Sequence, residues 1–214
     1  LKYASGIMPG DGLADTNDDL YMRGFHRSAV FIDGFRVSGN TGIKFMPANI
    51  KQVEILKGPA TVLYGQAEPG GTLNFIRHKP HDKNMARAQV AAGSLGKNRY
   101  SADLNFAHRS LQSRLIIAQQ RQKTSGDTGN INRELVSPAI HWQVTERAQI
   151  YLNLHRQHNY QQSKPVPQEL TSNAGWEDFY REYPGRSPAF DSRFSLITSG
   201  YNFDFNDDWA LGID

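Results

Sequence analysis

The 214-residue chain contains no cysteine. That excludes a disulfide framework, thiolate chemistry and Cys-based zinc sites, and leaves only His/carboxylate metal sites to consider. No apolar run approaches the ~20 residues of a spanning helix. No cationic segment followed by an apolar stretch opens the chain, so no signal peptide is visible. Charge of one sign is not in excess: 24 Lys and Arg stand against 21 Asp and Glu, a net +3. The basic residues are scattered, so nucleic acid is not an expected partner. Low hydropathy leaves a membrane β-barrel open, because only alternate residues of such strands face lipid.

What the chain does have is punctuation. Gly and Pro are dense before Pro80 and separate short apolar runs. Residues 20–25 (LYMRGF) and 30–37 (VFIDGFRV) bracket a turn, and Asp33-Gly34 is a strong hairpin signal. Pro47 opens one expected helical turn over residues 47–52. The most informative stretch is residues 50–80, IKQVEILKGPATVLYGQAEPGGTLNFIRHKP. Two strands, VEIL at 53–56 and TLNFI at 72–76, flank a turn-rich tip in which Gly58, Pro59, Gly65, Gly70 and Gly71 are read as structural turns. These glycines do not form a phosphate loop, since the GK[ST] ending is absent. The whole element is too poor in apolar residues for a large core of its own.

After Lys83 the texture changes to segments of about ten residues with alternating polarity. Tyr100, Ala102, Leu104 and Phe106 share one face, and Arg99, Ser101, Asp103 and Asn105 the other. Residues 85–93, 149–155, 201–205 and 209–213 repeat the pattern. Residues 113–122 and 133–144 are rougher, and Pro138 suits an irregular point. About seven strands are expected. Residues 95–98, 145–147 and 206–208 read as short turns, residues 123–132 as a longer connection, and 159–192 as a long aromatic loop. Short turns at one end and long loops at the other are the pattern of an outer-membrane barrel. A soluble β-rich carbohydrate-binding or structural domain has the same period of two and stays open on alternation alone.

The segment 50–80 resembles the plug signature of TonB-dependent outer-membrane receptors, of the form VEVLRGPxSxLYGxxxPGGxINxVTKxP. Arg23-Gly24-Phe25 and residues 31–34 (FIDG) resemble upstream elements of the same family. Residues 192–211 resemble a barrel motif of its ferric-siderophore branch. The resemblance implies a mainly β fold: a small α/β plug over residues 1–82, then the first antiparallel strands of a transmembrane β-barrel over 83–214. The family barrel has 22 strands. About seven cannot close it, and the start shows no recognisable TonB box, so a truncated or internal piece is expected. The implied role is non-enzymatic uptake of ferric siderophores in the Gram-negative outer membrane. TonB-ExbB-ExbD and outer-membrane lipid are the other implied partners.

The resemblance also implies site residues. Arg23, Glu54 and Lys57 are candidates for ionic locks between plug and barrel wall, Lys57 standing where Arg is usual. Substrate contacts fall on Arg27, Phe45, Tyr64 and Gln66 of the plug and Trp176, Phe179 and Tyr180 of the long loop. Aromatic rings and basic groups suit anionic chelates. Among the seven His, His155 and His158 fall on opposite faces of a strand. His78 and His81 flank Pro80, and no metal site is expected. No resident cofactor is expected either, since iron arrives chelated. The adjacent carboxylates Glu177-Asp178 and Asp207-Asp208 are poorly placed for two-carboxylate catalysis.

Overall fold

The computed structural model describes residues 5–9, 20–26, 29–38, 44–58, 70–123, 129–163, 189–205 and 209–213. Three sheets account for them. Strands β1 (Ile7–Pro9), β2 (Leu20–Met22) and β3 (Phe25–His26) form a small antiparallel sheet. Strands β4 (Ala29–Ile32), β5 (Phe35–Ser38), β6 (Ile50–Lys57) and β7 (Gly71–Arg77) form a second, in the order β5-β4-β7-β6. Its β4–β7 pairing is parallel, with Phe31 opposite Asn74 and Ile32 opposite Phe75.

The turn between β4 and β5 holds Asp33 at φ 50 and Gly34 at φ 87. Positive φ at both central residues is the geometry that matches strand twist in a two-residue hairpin, and Asp and Gly tolerate it. The expected helical turn is a single 3₁₀ turn, Pro47–Asn49, after which Ile50 is already extended at φ −98. Strand β6 therefore starts three residues earlier than the VEIL run indicates. Among the described residues the α/β reading of the plug thus reduces to strands and this one turn.

Seven antiparallel strands make the third sheet, in sequential order: β8 (Met85–Gly93), β9 (Lys97–His108), β10 (Leu111–Lys123), β11 (Gly129–Thr145), β12 (Ala148–Ser163), β13 (Ala189–Asp204) and β14 (Ala210–Ile213). Registers are continuous over most of their length, and they fix which residues share a face. The outer face carries Tyr100, Leu104, Phe106, Ile117, Ile140, Leu152 and Ile197, all exposed. The inner face carries Arg114, Gln120, Arg133, Asn153, His155 and Gln157, all buried. Polarity is thus reversed relative to a water-soluble sheet: apolar residues face outward and polar residues face the plug.

Pro138 lies inside β11 and not at an edge. It pairs with Leu115 of β10, but the pairing with β12 is interrupted between Val136–Arg156 and Ala139–Asn153. Proline has no N–H to give the ladder there. The Ser137 hydroxyl donates to the Leu154 carbonyl at 2.7 Å and supplies the missing bond.

Strand ends correct one reading of the connections. The turn after β8 lies at the end that carries the connections 124–128 and 164–188, because the Lys123 N–H donates to the Leu95 carbonyl at 2.9 Å. The opposite, short-turn end is closed by Gln143 N–H to Ser110 C=O and Asp204 N–H to Arg147 C=O. A tight turn can close either end of a barrel, so its shortness does not assign it to one.

Candidate functional site

The plug's small core is made by Ile7, Leu20, Met22, Val30, Ile32, Val37, Phe45, Leu73 and Phe75. It is completed by Phe194 and Leu196 from the inner face of β13. Met46 enters a second cluster with Ile116, Ala118 and Leu135 of the wall. The plug therefore borrows apolar surface from the wall, as its own shortage of apolar residues requires.

Around these contacts runs a seam of hydrogen bonds, most of them neutral. The side chain of Gln157 accepts from the Met46 N–H at 2.9 Å and donates to the Lys44 carbonyl at 2.7 Å. Asn49, at the end of the 3₁₀ turn, donates to Ser137 Oγ at 2.8 Å and lies 3.2 Å from His155 Nδ1. The plug's Arg77 donates through Nη2 to Thr198 Oγ1 at 3.0 Å. Its charge is answered inside the plug: Nε donates to Asp33 Oδ2 at 2.6 Å and the backbone N–H to Asp33 Oδ1 at 2.8 Å. The ion pair thus belongs to the plug, and among the described residues a hydroxyl, that of Thr198, joins it to the wall.

The linker into β8 is held from the wall side. Arg114 forms a two-pronged pair with Asp103, at 2.8 and 2.6 Å, and donates its third edge to the Lys79 carbonyl at 2.9 Å. Asn105 donates to the carbonyls of His81 and Lys83, both at 2.8 Å, and accepts the His81 N–H at 3.1 Å. Such paired charge-assisted bonds combine strength with fixed orientation. Anchored here, the linker is a fixed point about which the plug is hung.

His78 begins this linker. Burial lowers its pKa below 6.5, and the positive charge of Arg114 lowers it further against the opposing pull of Asp103; Lys51 and Arg87 add smaller repulsions. A lowered folded-state pKa means the unfolded chain binds more protons in the window below 6.5. The stability that neutral His78 contributes is full above 6.5 and is lost as pH falls through the folded value. A nuclear magnetic resonance titration of His78 is expected to give a midpoint below 6.5, and His78→Gln to reduce the acid-side loss of linker protection. A midpoint at or above 6.5 contradicts this environment.

The sequence-based candidates are distributed unevenly. Arg27, Pro59, Tyr64, Gly65, Gln66, Trp176, Phe179 and Tyr180 lie outside the described residues. Phe45, expected at a ligand-facing apex, is 8% exposed. Its ring packs on Phe75, Phe194 and His155 at centroid distances of 5.4, 5.5 and 6.2 Å. It packs between plug and wall, with Phe75 on the plug side and Phe194 and His155 on the wall side.

Of the lock candidates, none meets an opposite charge on the wall among the described residues. Arg23 is exposed in a turn at φ 50. Lys57 is exposed. Glu54 accepts from Asn74 and Gln52, both at 3.0 Å, within the plug. The residues that do join plug and wall, Asn49, Arg77, Gln157 and Thr198, were not singled out from sequence. The only signal was the alternating polar row on each wall strand.

Gly58 and Gly71 have φ of 106 and 131, and a Cβ on Gly70 or Gly71 would strike the carbonyl oxygen of Met22 or Leu56 respectively. His155 faces inward and is buried, while His158 faces outward and pairs with Asp191 at 2.9 Å. Among the described residues no group of three or more His, Asp or Glu is arranged to hold a metal ion.

An outer face of exposed apolar residues, a polar inner face and a small β domain seated on that inner face define a part of a plugged outer-membrane β-barrel. The family model of the TonB-dependent receptor plug domain matches residues 1–72. The chain is 40% identical over 112 residues to the metal-pseudopaline receptor CntO of Pseudomonas aeruginosa, covering 50% of this chain and 16% of that protein. It is 28% identical over 218 residues to the catecholate siderophore receptor Fiu of Escherichia coli, covering 94% of this chain and 28% of that protein. The fold matches Pseudomonas aeruginosa FpvA, solved with a heterologous pyoverdine, at a TM-score of 0.80 and 18% identity over 96% of this chain and 29% of that one. Residues 1–72 thus match the plug domain of TonB-dependent receptors, and the fold of the chain is similar to that of the plug and first wall strands of such a receptor. The chain spans less than a third of the length of these relatives. The soluble carbohydrate-binding or structural alternative is not supported.

Proposed function

We propose that this chain supplies the plug, over residues 1–82, and the first wall strands, over 83–214, of a receptor that takes up ferric siderophores. The observation that carries the reading is the plug seated on the polar inner face of a sheet whose outer face is apolar. That arrangement suits a gated passage through lipid, and the relative matched over 94% of the chain is a catecholate siderophore receptor. Substrate enters from the end bearing the connections 124–128 and 164–188. Arg27, Tyr64 and Gln66 of the plug sequence, with Trp176, Phe179 and Tyr180 of residues 164–188, are the proposed ligand contacts.

Import then requires the plug to yield. A seam made mostly of neutral hydrogen bonds, each contributing about 0.5–1.5 kcal/mol, releases stepwise under force. Breaking wall-to-plug ion pairs would instead leave buried charges unpaired. TonB with ExbB and ExbD is the proposed source of that force. The chelate crosses chemically unchanged, so no enzymatic step and no resident cofactor are proposed, and iron is cargo.

Uptake of radioactive iron by iron-limited cells that depend on this receptor tests the reading. Accumulation from at least one ferric siderophore, abolished when TonB is deleted, is the expected result. Accumulation indifferent to TonB contradicts it.

A further inference from the structure

The apolar outer face of the wall is unevenly filled. An open groove of about 740 Å³ crosses strands β8 to β11 on it. Small residues, Ala86, Ser113 and Pro138, make the floor, and Leu104, Phe106, Leu115 and Ile140 make the walls. All four wall residues are exposed. We propose that this groove seats one glycerophospholipid of the leaflet at the short-turn end. Arg109 and His108 hold its phosphate, Ser113 meets its glycerol ester, and the apolar walls take an acyl chain. The inference rests on the outer-membrane placement in the proposed function and adds a specific lipid ligand on the wall's outer side.

Register builds the groove. Ser113 lies opposite Phe106 on one side and Ile140 on the other, while Leu115 lies opposite Leu104 and Pro138. Ala86 continues the second row beside Leu104. A serine between a phenylalanine and an isoleucine leaves its row short of side-chain volume at the centre. Alanine and proline do the same for the row beside it. An acyl chain laid along the strands fills that deficit by dispersion and apolar burial.

Bulk lipid covers any apolar barrel face, so the hollow alone does not select a ligand. The polar groups at one end do. The row that closes the groove is His108, Leu111 and Trp142. The His108 ring stacks on Phe106 at a centroid distance of 6.3 Å, which sets the imidazole at the groove's mouth. Arg109 follows in the turn and is exposed. Trp142 in the same row marks headgroup depth, where such aromatic residues collect. The Ser113 row is two residues deeper, roughly 7 Å along the strand. Guanidinium and imidazole, then a hydroxyl, then apolar walls is the order in which a glycerophospholipid presents phosphate, ester and chain. Arginine holds phosphate through paired N–H bonds, and the low-polarity surroundings beside hydrocarbon strengthen them.

The test uses the receptor purified in detergent and stripped of lipid. Native mass spectrometry follows titration with phosphatidylglycerol, with diacylglycerol, which lacks the phosphate, and with lipid A. One phosphatidylglycerol is expected to bind, at least tenfold more tightly than diacylglycerol. Ser113→Leu fills the groove and is expected to lose at least tenfold for both. His108→Gln combined with Arg109→Asn is expected to lose at least tenfold for phosphatidylglycerol alone, and asparagine tolerates the φ of 50 at this turn. Arg121→Gln, at the other end of the same face of β10, is the control and stays unchanged. The His108/Arg109 pair remains informative if Ser113→Leu misfolds. Phosphatidylglycerol binding unmoved by these variants, equal affinity for diacylglycerol, or tighter binding of lipid A that follows the same variants overturns the site. Ferric-siderophore binding is read on the same samples. If the lipid result is as expected and no ferric siderophore binds, the groove stands and the siderophore reading falls. If a ferric siderophore binds and phosphatidylglycerol ignores the variants, the reading stands and the groove falls.

Discussion

Replacing Asp33 with alanine is expected to cost the plug about 3–5 kcal/mol, because it strands a buried guanidinium. Arg77 is 3% exposed and Asp33 10%. The carboxylate accepts both the Nε–H and the backbone N–H of Arg77. Removing it leaves a charge that water cannot reach and that Thr198, a neutral hydroxyl, cannot balance. Hydrogen exchange of β4 and β7 is the readout. Protection there is expected to fall by roughly two to three and a half orders of magnitude, while that of β10 and β11 is retained. Asp33→Asn separates the contributions: asparagine tolerates the φ of 50 at this turn and keeps an acceptor, so its cost is expected to be smaller. Unchanged β7 protection in Asp33→Ala would show that the pair is not what holds this end of the plug.

Gly71→Ala is the second large effect, on the order of 3 kcal/mol from a backbone region that is nearly glycine-only and an added steric clash. Gly71 has φ 131, and a Cβ there would meet the Leu56 carbonyl oxygen and approach Met22 Cε at 3.0 Å. The carbonyl cannot step aside, because Leu56 is paired with Thr72 and Lys57 with Gly71. Gly70→Ala is a milder case. Its φ lies outside the left-handed region, so the clash with the Met22 carbonyl is not joined by backbone strain. The expected order of melting temperatures for the plug transition is wild type, then Gly70→Ala, then Gly71→Ala. Equal stability of Gly71→Ala and wild type would contradict the close-approach account of this glycine pair.

These two sites illustrate what sequence conveys and what it withholds. Asp33-Gly34 is readable as a hairpin turn because turn chemistry is local. That the same Asp33 neutralises Arg77, 44 residues on, is a tertiary fact with no local trace. Gly70-Gly71 reads as a turn, yet the second reason for glycine is the nearness of two other strands. On the wall, the alternation Tyr100, Leu104, Phe106 against Arg99, Asp103, Asn105 gave the faces directly, since a strand's period is two. The partners of the inner row were hidden for a different reason. Gln157 meets Met46 across 111 residues and Arg77 meets Thr198 across 121. Such contacts depend on how two sheets dock, and pattern within either sheet does not specify it. The expected lock at Arg23, Glu54 and Lys57 failed to appear among the described residues for the same reason. The resemblance implies a lock at these positions, whereas Glu54 finds partners, Asn74 and Gln52, inside the plug.

Direct binding to the detergent-solubilised receptor addresses the central claim. Ferric siderophores of the hydroxamate, catecholate and carboxylate classes are titrated in turn, with their iron-free forms as controls. The account predicts saturable binding of at least one ferric siderophore. Absence of binding across all three classes, in a receptor whose plug and wall are folded, would contradict it.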